Sequence, residues 1–258
     1  MVGLPSDNLT IVGLARKLAD EVKRDAVSSD VSARDAERSK LRHVVRYQAA
    51  KLDRVWTTGI SKHGGIETKS HLLAMNDGLM TNAVWLRPIG APDSAPATII
   101  LDDKGKAAAA EQVAERLYRG EQVLAADLPF QGDAWKQDST WLFEQMIVTT
   151  GARALGIEAA HLVELANWLK RHGATKVRLE TSGMRNQVVA LVAAALEPAL
   201  FSEVMVRHGI PSLRHLVDKP VKYQDAADLF CLDLYKFADL DRLTALSAPT
   251  PVKSMSAD

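Results

Sequence analysis

The sequence is short of several features that would each indicate a class of protein. It has one cysteine, Cys231, which excludes an internal disulfide framework and a zinc site built from cysteines. It has no excess of either charge, because Lys plus Arg and Asp plus Glu both number 32. A balanced chain has no global field that would attract nucleic acid or an anionic membrane, so we expect neither partner. No apolar run approaches a membrane span, and no signal peptide is recognisable at the start, so we expect a soluble protein of undetermined location.

Two further absences concern ligands. The glycine-containing turns do not match the phosphate-binding motifs G-x-G-x-x-G or G-x-x-x-x-G-K-[ST], so no nucleotide cofactor is expected. The seven histidines show no spacing typical of metal ligands, and no metal is expected. His161 is predicted to lie on a helix beside Glu158 and Glu164, where an ion-paired helix surface explains it.

The first part of the chain has a helical pattern. Apolar residues recur at near-helical spacing over residues 9–24 and 30–52, and Asp30 is a suitable N-cap for the second segment. We therefore expect residues 1–55 to form a helical appendage or linker. Residues 56–258 are then the main domain.

The main domain begins with a predicted hairpin and continues as alternating strands and helices. The residues Asn76, Asp77 and Gly78 form the hairpin turn between two strand-like runs. The elements predicted after it are strand 97–101, helix 106–118, strand 122–128, helix 152–172, strand 176–180, helix 186–196 and strand 201–206. Such alternation predicts a mainly parallel α/β sheet with helices on both faces. Right-handed crossovers bring the carboxyl ends of the strands to one edge of that sheet.

Four stretches resemble one family of hydrolases. They are the strand and turn at 99–106, the strand and loop at 123–132, the strand-to-helix turn at 181–186, and residues 240–252. In this order they resemble the α/β-hydrolase superfamily, and more narrowly bacterial acetyl-xylan-esterase-like hydrolases, over residues 65–258. The resemblance implies an α/β-hydrolase-like fold, an oxyanion hole after the first of these strands, and a nucleophile elbow at the turn before the Ala-rich helix.

The residues expected at the catalytic positions are altered. Aligned on the Ala-rich helix, Gly183 and Met184 form the elbow, and Met184 takes the position of the nucleophile, where a thioether cannot replace a hydroxyl. The family's His-Gly pair beside the oxyanion hole is replaced by Asp102 and Asp103. Asp258 matches the acid position approximately, but no histidine follows it, and the last strand of the family's sheet is expected to be missing. The resemblance therefore implies an α/β-hydrolase with a degenerate catalytic triad.

The topology also suggests a substitute constellation. Asp103, Ser182 and His208 follow strands that should be neighbours, so they could supply an acid, a nucleophile and a base. In the alternative interpretation, His208 is a solvated residue at a strand end.

Three functions are compatible with this sequence. The first is a carboxylic-ester hydrolase acting on small acyl esters, such as acetylated sugars, through an acyl-enzyme on Ser182. The second is a non-catalytic module that binds a ligand in the old cleft or supports a larger parent chain. The third is a homodimer in which a partner covers the sheet edge left by the missing strand.

Overall fold

The computed structural model describes residues 9–134 and 139–255. Its helices are α1 (Ile11–Glu21), α2 (Val31–Val44), α3 (Ala110–Tyr118), α4 (Thr140–Thr149), α5 (Ala154–Arg171), α6 (Met184–Leu196), α7 (His215–Asp218), α8 (Leu234–Phe237) and α9 (Leu240–Leu246). Its strands are β1 (Leu52–His63), β2 (Ile66–Met75), β3 (Met80–Pro88), β4 (Ala97–Asp102), β5 (Gln122–Asp127), β6 (Val177–Ser182), β7 (Glu203–Arg207) and β8 (Val252–Met255). None of the helices in these residues combines the length and apolar character needed to cross a membrane.

The strands form one mixed sheet in the order β1-β2-β3-β5-β4-β6-β7-β8. The strands β5, β4, β6, β7 and β8 are parallel. The strands β1, β2 and β3 follow one another antiparallel, and β3 is antiparallel to β5. The predicted mainly parallel sheet and the hairpin between β2 and β3 are thus confirmed. In the described part of the chain β8 is an edge strand, hydrogen-bonded only to β7.

Helices cover both faces of the sheet, as predicted. Ile99 and Leu101 of β4 point into the large core that α5 and α6 close. Ile100, between them, points to the other face and packs with Val113 of α3. Alternate residues of a strand point to opposite faces, so the two clusters mark the two sides of the sheet.

The start of the chain differs from the prediction. The helix expected over residues 30–52 ends at Val44, and β1 follows from Leu52, so the end of that prediction is wrong. Arg46 adopts a φ of 53°, and the Tyr47 N–H donates to the carbonyl of Arg42, which closes the helix. The Leu52 N–H then donates to Glu164 Oε1 at 3.0 Å and directs the chain into the sheet.

Residues before 56 also contribute to the main core. Leu41 is fully buried in the cluster closed by α5 and α6. Arg38, on the same helix, donates to the carbonyls of Ala195, Leu246 and Ala248. The predicted boundary between residues 55 and 56 falls inside β1.

On the α3 face, the part of the sheet toward β8 is charged. Glu180 of β6 accepts hydrogen bonds from Arg116 of α3 at 2.9 Å and from Arg207 of β7 at 2.5 Å. Arg178 pairs with Glu121 at 2.7 Å and with Glu203 at 3.0 Å. At these positions an apolar side chain would need a helix to cover it, and the chain has ion pairs there instead.

Candidate functional site

The carboxyl ends of β4, β6 and β7 meet at one edge of the sheet, where the candidate site was predicted. Asp102 lies beside Ser182, and Ser182 lies beside Arg207, in the parallel register. The backbone continues this contact beyond the strands, because the Asp103 N–H donates to the Ser182 carbonyl at 3.0 Å. The loops that carry the sequence-predicted residues are therefore neighbours.

Asp103 caps the helix that follows the turn. Its carboxylate accepts the backbone N–H groups of Arg185 and Asn186, each at 2.9 Å, and the side-chain amide of Asn186 at 3.0 Å. These are the second and third residues of α6, whose N–H groups have no partner within the helix. A helix N-terminus favours an anion, and here the anion belongs to the chain itself.

The position of this carboxylate matters for ester chemistry. An oxyanion hole in an α/β hydrolase uses the N–H of the residue after the nucleophile. With Met184 at the nucleophile position, that group is the Arg185 N–H, which donates to Asp103 Oδ2. Burial raises the pKa of Asp103, although the two backbone hydrogen bonds and the charge of Arg185 act in the opposite direction.

Gly183 is the residue at which the strand turns into the helix. It has φ 98° and ψ 169° and takes the N-cap position of α6. Met184 begins the helix and is not among the described residues with positive φ. The positive φ expected of a nucleophile is therefore found at Gly183, one residue before the position that the resemblance assigns to the nucleophile.

Ser182 and His208 do come together. The Ser182 Oγ lies 3.3 Å from His208 Nδ1, in an exposed position above β6 and β7. Asp103, the third member of the predicted constellation, directs its carboxylate to α6 instead. In a serine triad one ring nitrogen faces the hydroxyl and the other binds the acid, so His208 would need an acid at Nε2.

The proposed family acid, Asp258, lies outside the described residues. The β8 strand ends at Met255, before that position. In the ranges 9–134 and 139–255, no three His, Cys, Asp or Glu side chains converge as a metal site.

A second aspartate organises the loop after β5. The carboxylate of Asp127 accepts the backbone N–H of Lys106 at 2.7 Å and its ammonium at 2.6 Å. It also accepts the N–H of Asp133 at 3.0 Å. Asp127 therefore joins the two loops that border the edge.

Beneath the turn lies a buried cluster that the sequence analysis did not find. Arg185 Nε donates to both oxygens of Asp228, at 2.9 and 3.0 Å. Glu158 accepts from the Gln131 amide at 2.7 Å, and Glu144 is 1% exposed. Within the described residues neither carboxylate oxygen of Glu144 has a hydrogen-bond partner.

Burial and repulsion keep protons in this cluster. Burial, followed by the charge of Asp228, raises the pKa of Glu144 to about 8. The same two causes raise the pKa of Glu158 well above its usual range. Among the described residues the cluster has three carboxyl groups and one guanidinium. The raised pKa values favour the protonated form of both glutamates beside the ion pair of Arg185 with Asp228.

His161 is a correction to the sequence analysis. It is fully buried rather than on an ion-paired helix surface. Its Nδ1 lies 2.9 Å from Thr81 Oγ1, and its Nε2 lies 2.9 Å from Asp77 Oδ2. The ring thus links α5 to the hairpin turn, where a structural role explains it.

Comparison with known proteins gives matches in structure only. No protein-family model matches the chain, and none of the curated proteins matches it significantly. A Bacteroides fragilis protein provisionally described as an acetyl xylan esterase superposes with a TM-score of 0.76 at 13% identity, over 98% of this chain and 77% of that one. An acetyl xylan esterase from Paenibacillus gives 0.60 at 12% identity, over 94% and 92%. A glucuronoyl esterase from Solibacter usitatus gives 0.62 at 12% identity, over 91% and 80%. The chain therefore has the α/β-hydrolase fold of these esterases.

Proposed function

We propose that this chain is a non-catalytic α/β-hydrolase-like module, with a binding or structural role in place of ester hydrolysis. The observation that carries the proposal is the carboxylate of Asp103 on the N–H groups of Arg185 and Asn186. An oxyanion developing there would meet a carboxylate in the position where the transition state needs free donors. Met184 adds to the argument, because it removes the hydroxyl at the position that the resemblance gives to the nucleophile.

The test is an assay with a short-chain p-nitrophenyl ester. Surface nucleophiles of any protein react slowly with such esters and give a background rate. We expect the native chain to show only this background, so its rate should equal that of Ser182→Ala at matched protein concentration. A native rate that exceeds both Ser182→Ala and His208→Ala would overturn the proposal. Circular dichroism of each variant ensures that a lost rate is not a lost fold.

One contact favours a second candidate, weak hydrolysis of small acyl esters. Ser182 Oγ and His208 Nδ1 are 3.3 Å apart, so His208 could take the proton as the hydroxyl attacks an acyl carbon. The proton would pass from His208 to the leaving alcohol as the acyl-enzyme forms. Water deprotonated by His208 would then attack the acyl-enzyme, and that proton would return to Ser182 as the acid leaves. In this candidate both variants abolish the rate.

The occupancy of the anion site by Asp103 has its own measurement. If Asp103 occupies the anion site, a product-like carboxylate such as acetate should not bind to the native chain. Titration with acetate, followed by the amide NMR signals of residues at the start of α6, is expected to leave those signals unchanged. Saturable shifts in the native chain would mean that Asp103 leaves the site free for a ligand.

A further inference from the structure

An apolar groove opens beside α3, and neither Asp103 nor Ser182 is among its lining residues. It has a volume of about 710 Å³, and its floor is formed by Ile66, Val84 and Leu86 of the β2–β3 hairpin. Ala110 and Ala114 of α3 form its wall. Both alanines are exposed, so nothing in the described part of the chain covers this side of α3.

The groove contains almost no charge. Lys106 is the one charged side chain among its lining residues, and its ammonium is already paired with Asp127 and Asp133. An apolar occupant would therefore leave no charge without a partner. On the other side of α3 the same sheet face carries ion pairs, such as that of Arg116 with Glu180. The groove is thus an apolar concavity that is open to solvent, which indicates an interaction site.

The same chain contains an apolar helix stripe without a partner. Ile11, Leu14 and Leu18 of α1 are 89%, 47% and 55% exposed. Their spacing of three and four residues puts them on one side of the helix. The other sides of α1 are attached to the body of the protein, because Arg16 donates to the Asp218 carbonyl at 3.1 Å and Asp20 pairs with Arg214.

The stripe and the groove do not meet within one molecule. No residue of α1 belongs to the groove lining, and α1 packs against α7 instead. The eleven residues of α1 span roughly 16 Å, from a rise of 1.5 Å per residue. The groove runs along α3 and the turn before it, from Lys106 to Tyr118, which is a similar length.

We propose that the chain self-associates by placing the α1 stripe of one copy in the α3 groove of a second copy. This is the helix-in-groove mode of recognition, with anchors at positions i, i+3 and i+7. A two-fold arrangement gives a dimer with two such contacts, and an arrangement that does not close gives longer assemblies. The contact uses neither Asp103 nor Ser182, so it stands independently of the proposed function.

The test is the mass of the full chain in solution, measured by light scattering and sedimentation over a range of concentrations. Ile11→Asp puts a charge on the stripe, and it should not disturb folding because an acid is favourable in the first turn of a helix. Ala114→Arg fills the groove from an exposed helix position. Leu232→Asp, at an apolar residue that is 56% exposed and belongs to neither surface, is the matched control.

We expect the native chain and Leu232→Asp to associate, and each of the other variants to weaken association about tenfold or more. Mixing Ile11→Asp with Ala114→Arg should restore part of the association, because one supplies an intact groove and the other an intact stripe. A native chain that stays monomeric up to its solubility limit would overturn the proposal. Association that both variants leave unchanged would also overturn it and would fit pairing through the β8 edge.

Discussion

A Cβ atom added to Gly183 would lie 2.3 Å from the Cγ of Asp103. The two residues fit together only because position 183 has no side chain. The turn before α6 is therefore built around the carboxylate that caps the helix, and the positive φ of Gly183 belongs to the same arrangement. Any side chain at position 183 would need Asp103 to leave.

Gly183→Ala should accordingly be costly. We expect a loss of about 2–4 kcal/mol in the free energy of unfolding, from the positive φ and from the clash with Asp103. Urea unfolding measures the loss. Gly90→Ala is the matched control, because Gly90 has φ 90° and open space around the added carbon. If the clash matters, the cost of Gly183→Ala falls toward that of Gly90→Ala when Asp103 is also glycine, because the added carbon lies 2.7 Å from the Asp103 Cβ as well. Additive costs would show that the two residues do not interact.

Asp103→Ala should reveal the anion site directly. The variant removes the carboxylate that accepts from the N–H groups of Arg185 and Asn186, and loss of a helix cap costs about 1–2 kcal/mol. A small carboxylate can then enter the space, so formate or acetate should raise the unfolding midpoint of the variant and not that of the native chain. Sodium chloride at equal ionic strength is the control for salt effects. The same response in both proteins would argue against an anion site that Asp103 fills.

The sequence indicated this arrangement in outline. The alternation of apolar strands and helices predicts a parallel sheet, and a parallel register brings Asp103, Ser182 and His208 to neighbouring loops. The sequence does not show in which direction the carboxylate of Asp103 points. The predicted constellation needs Asp103 to face His208, whereas its carboxylate faces α6. That orientation depends on the backbone N–H groups at the start of α6 and on the space above Gly183, which no spacing pattern encodes.

Other features were missed because tertiary contacts override local preferences. Residues 45–52 continue a helical apolar pattern, but the hydrogen bond from the Leu52 N–H to Glu164 favours a strand from that point. His161 and Glu144 were not expected inside, since ionisable residues are rarely buried without partners. His161 is buried because Asp77 and Thr81 satisfy both of its nitrogens, and those partners are about 80 positions away in the chain.

The ion pairs on the α3 face lead to a prediction about Glu180. This residue is 1% exposed and pairs with both Arg116 and Arg207. Glu180→Gln leaves two guanidinium groups without their shared carboxylate, and we expect a loss of about 3–5 kcal/mol in urea unfolding. Replacing all three residues together with Met or Leu should cost far less, because buried ion networks are often no more stable than packed apolar side chains. An equal loss in the triple variant would mean that the network itself stabilises the sheet.

Glu144 is expected to make the folded chain less stable as the pH rises. Its pKa rises from an ordinary value of 4.5 to about 8, because burial and then the charge of Asp228 disfavour the carboxylate. The groups that face it are Glu158 on α5, Arg185 on α6, and Asp228 and Tyr223 on the 3₁₀ turns that pack against α4. Between the two pKa values the folded chain holds a proton that the unfolded chain has released. The contribution of Glu144 to the free energy of unfolding is therefore fully present below about pH 4.5 and is lost as the pH rises through about 8.

We expect the free energy of unfolding to fall by about 2–5 kcal/mol between pH 5 and pH 9, as the linkage between protons and stability requires. Glu144→Gln, which keeps the shape of the side chain and cannot ionise, should flatten much of this fall and leave the part due to Glu158. Glu111→Gln, at an exposed acid of α3, should follow the native curve. Urea titrations at several pH values give the three slopes. A native curve that is flat over this range, or a Glu144→Gln curve with the native slope, would mean that Glu144 is ionised in the folded chain at neutral pH and has found a partner there.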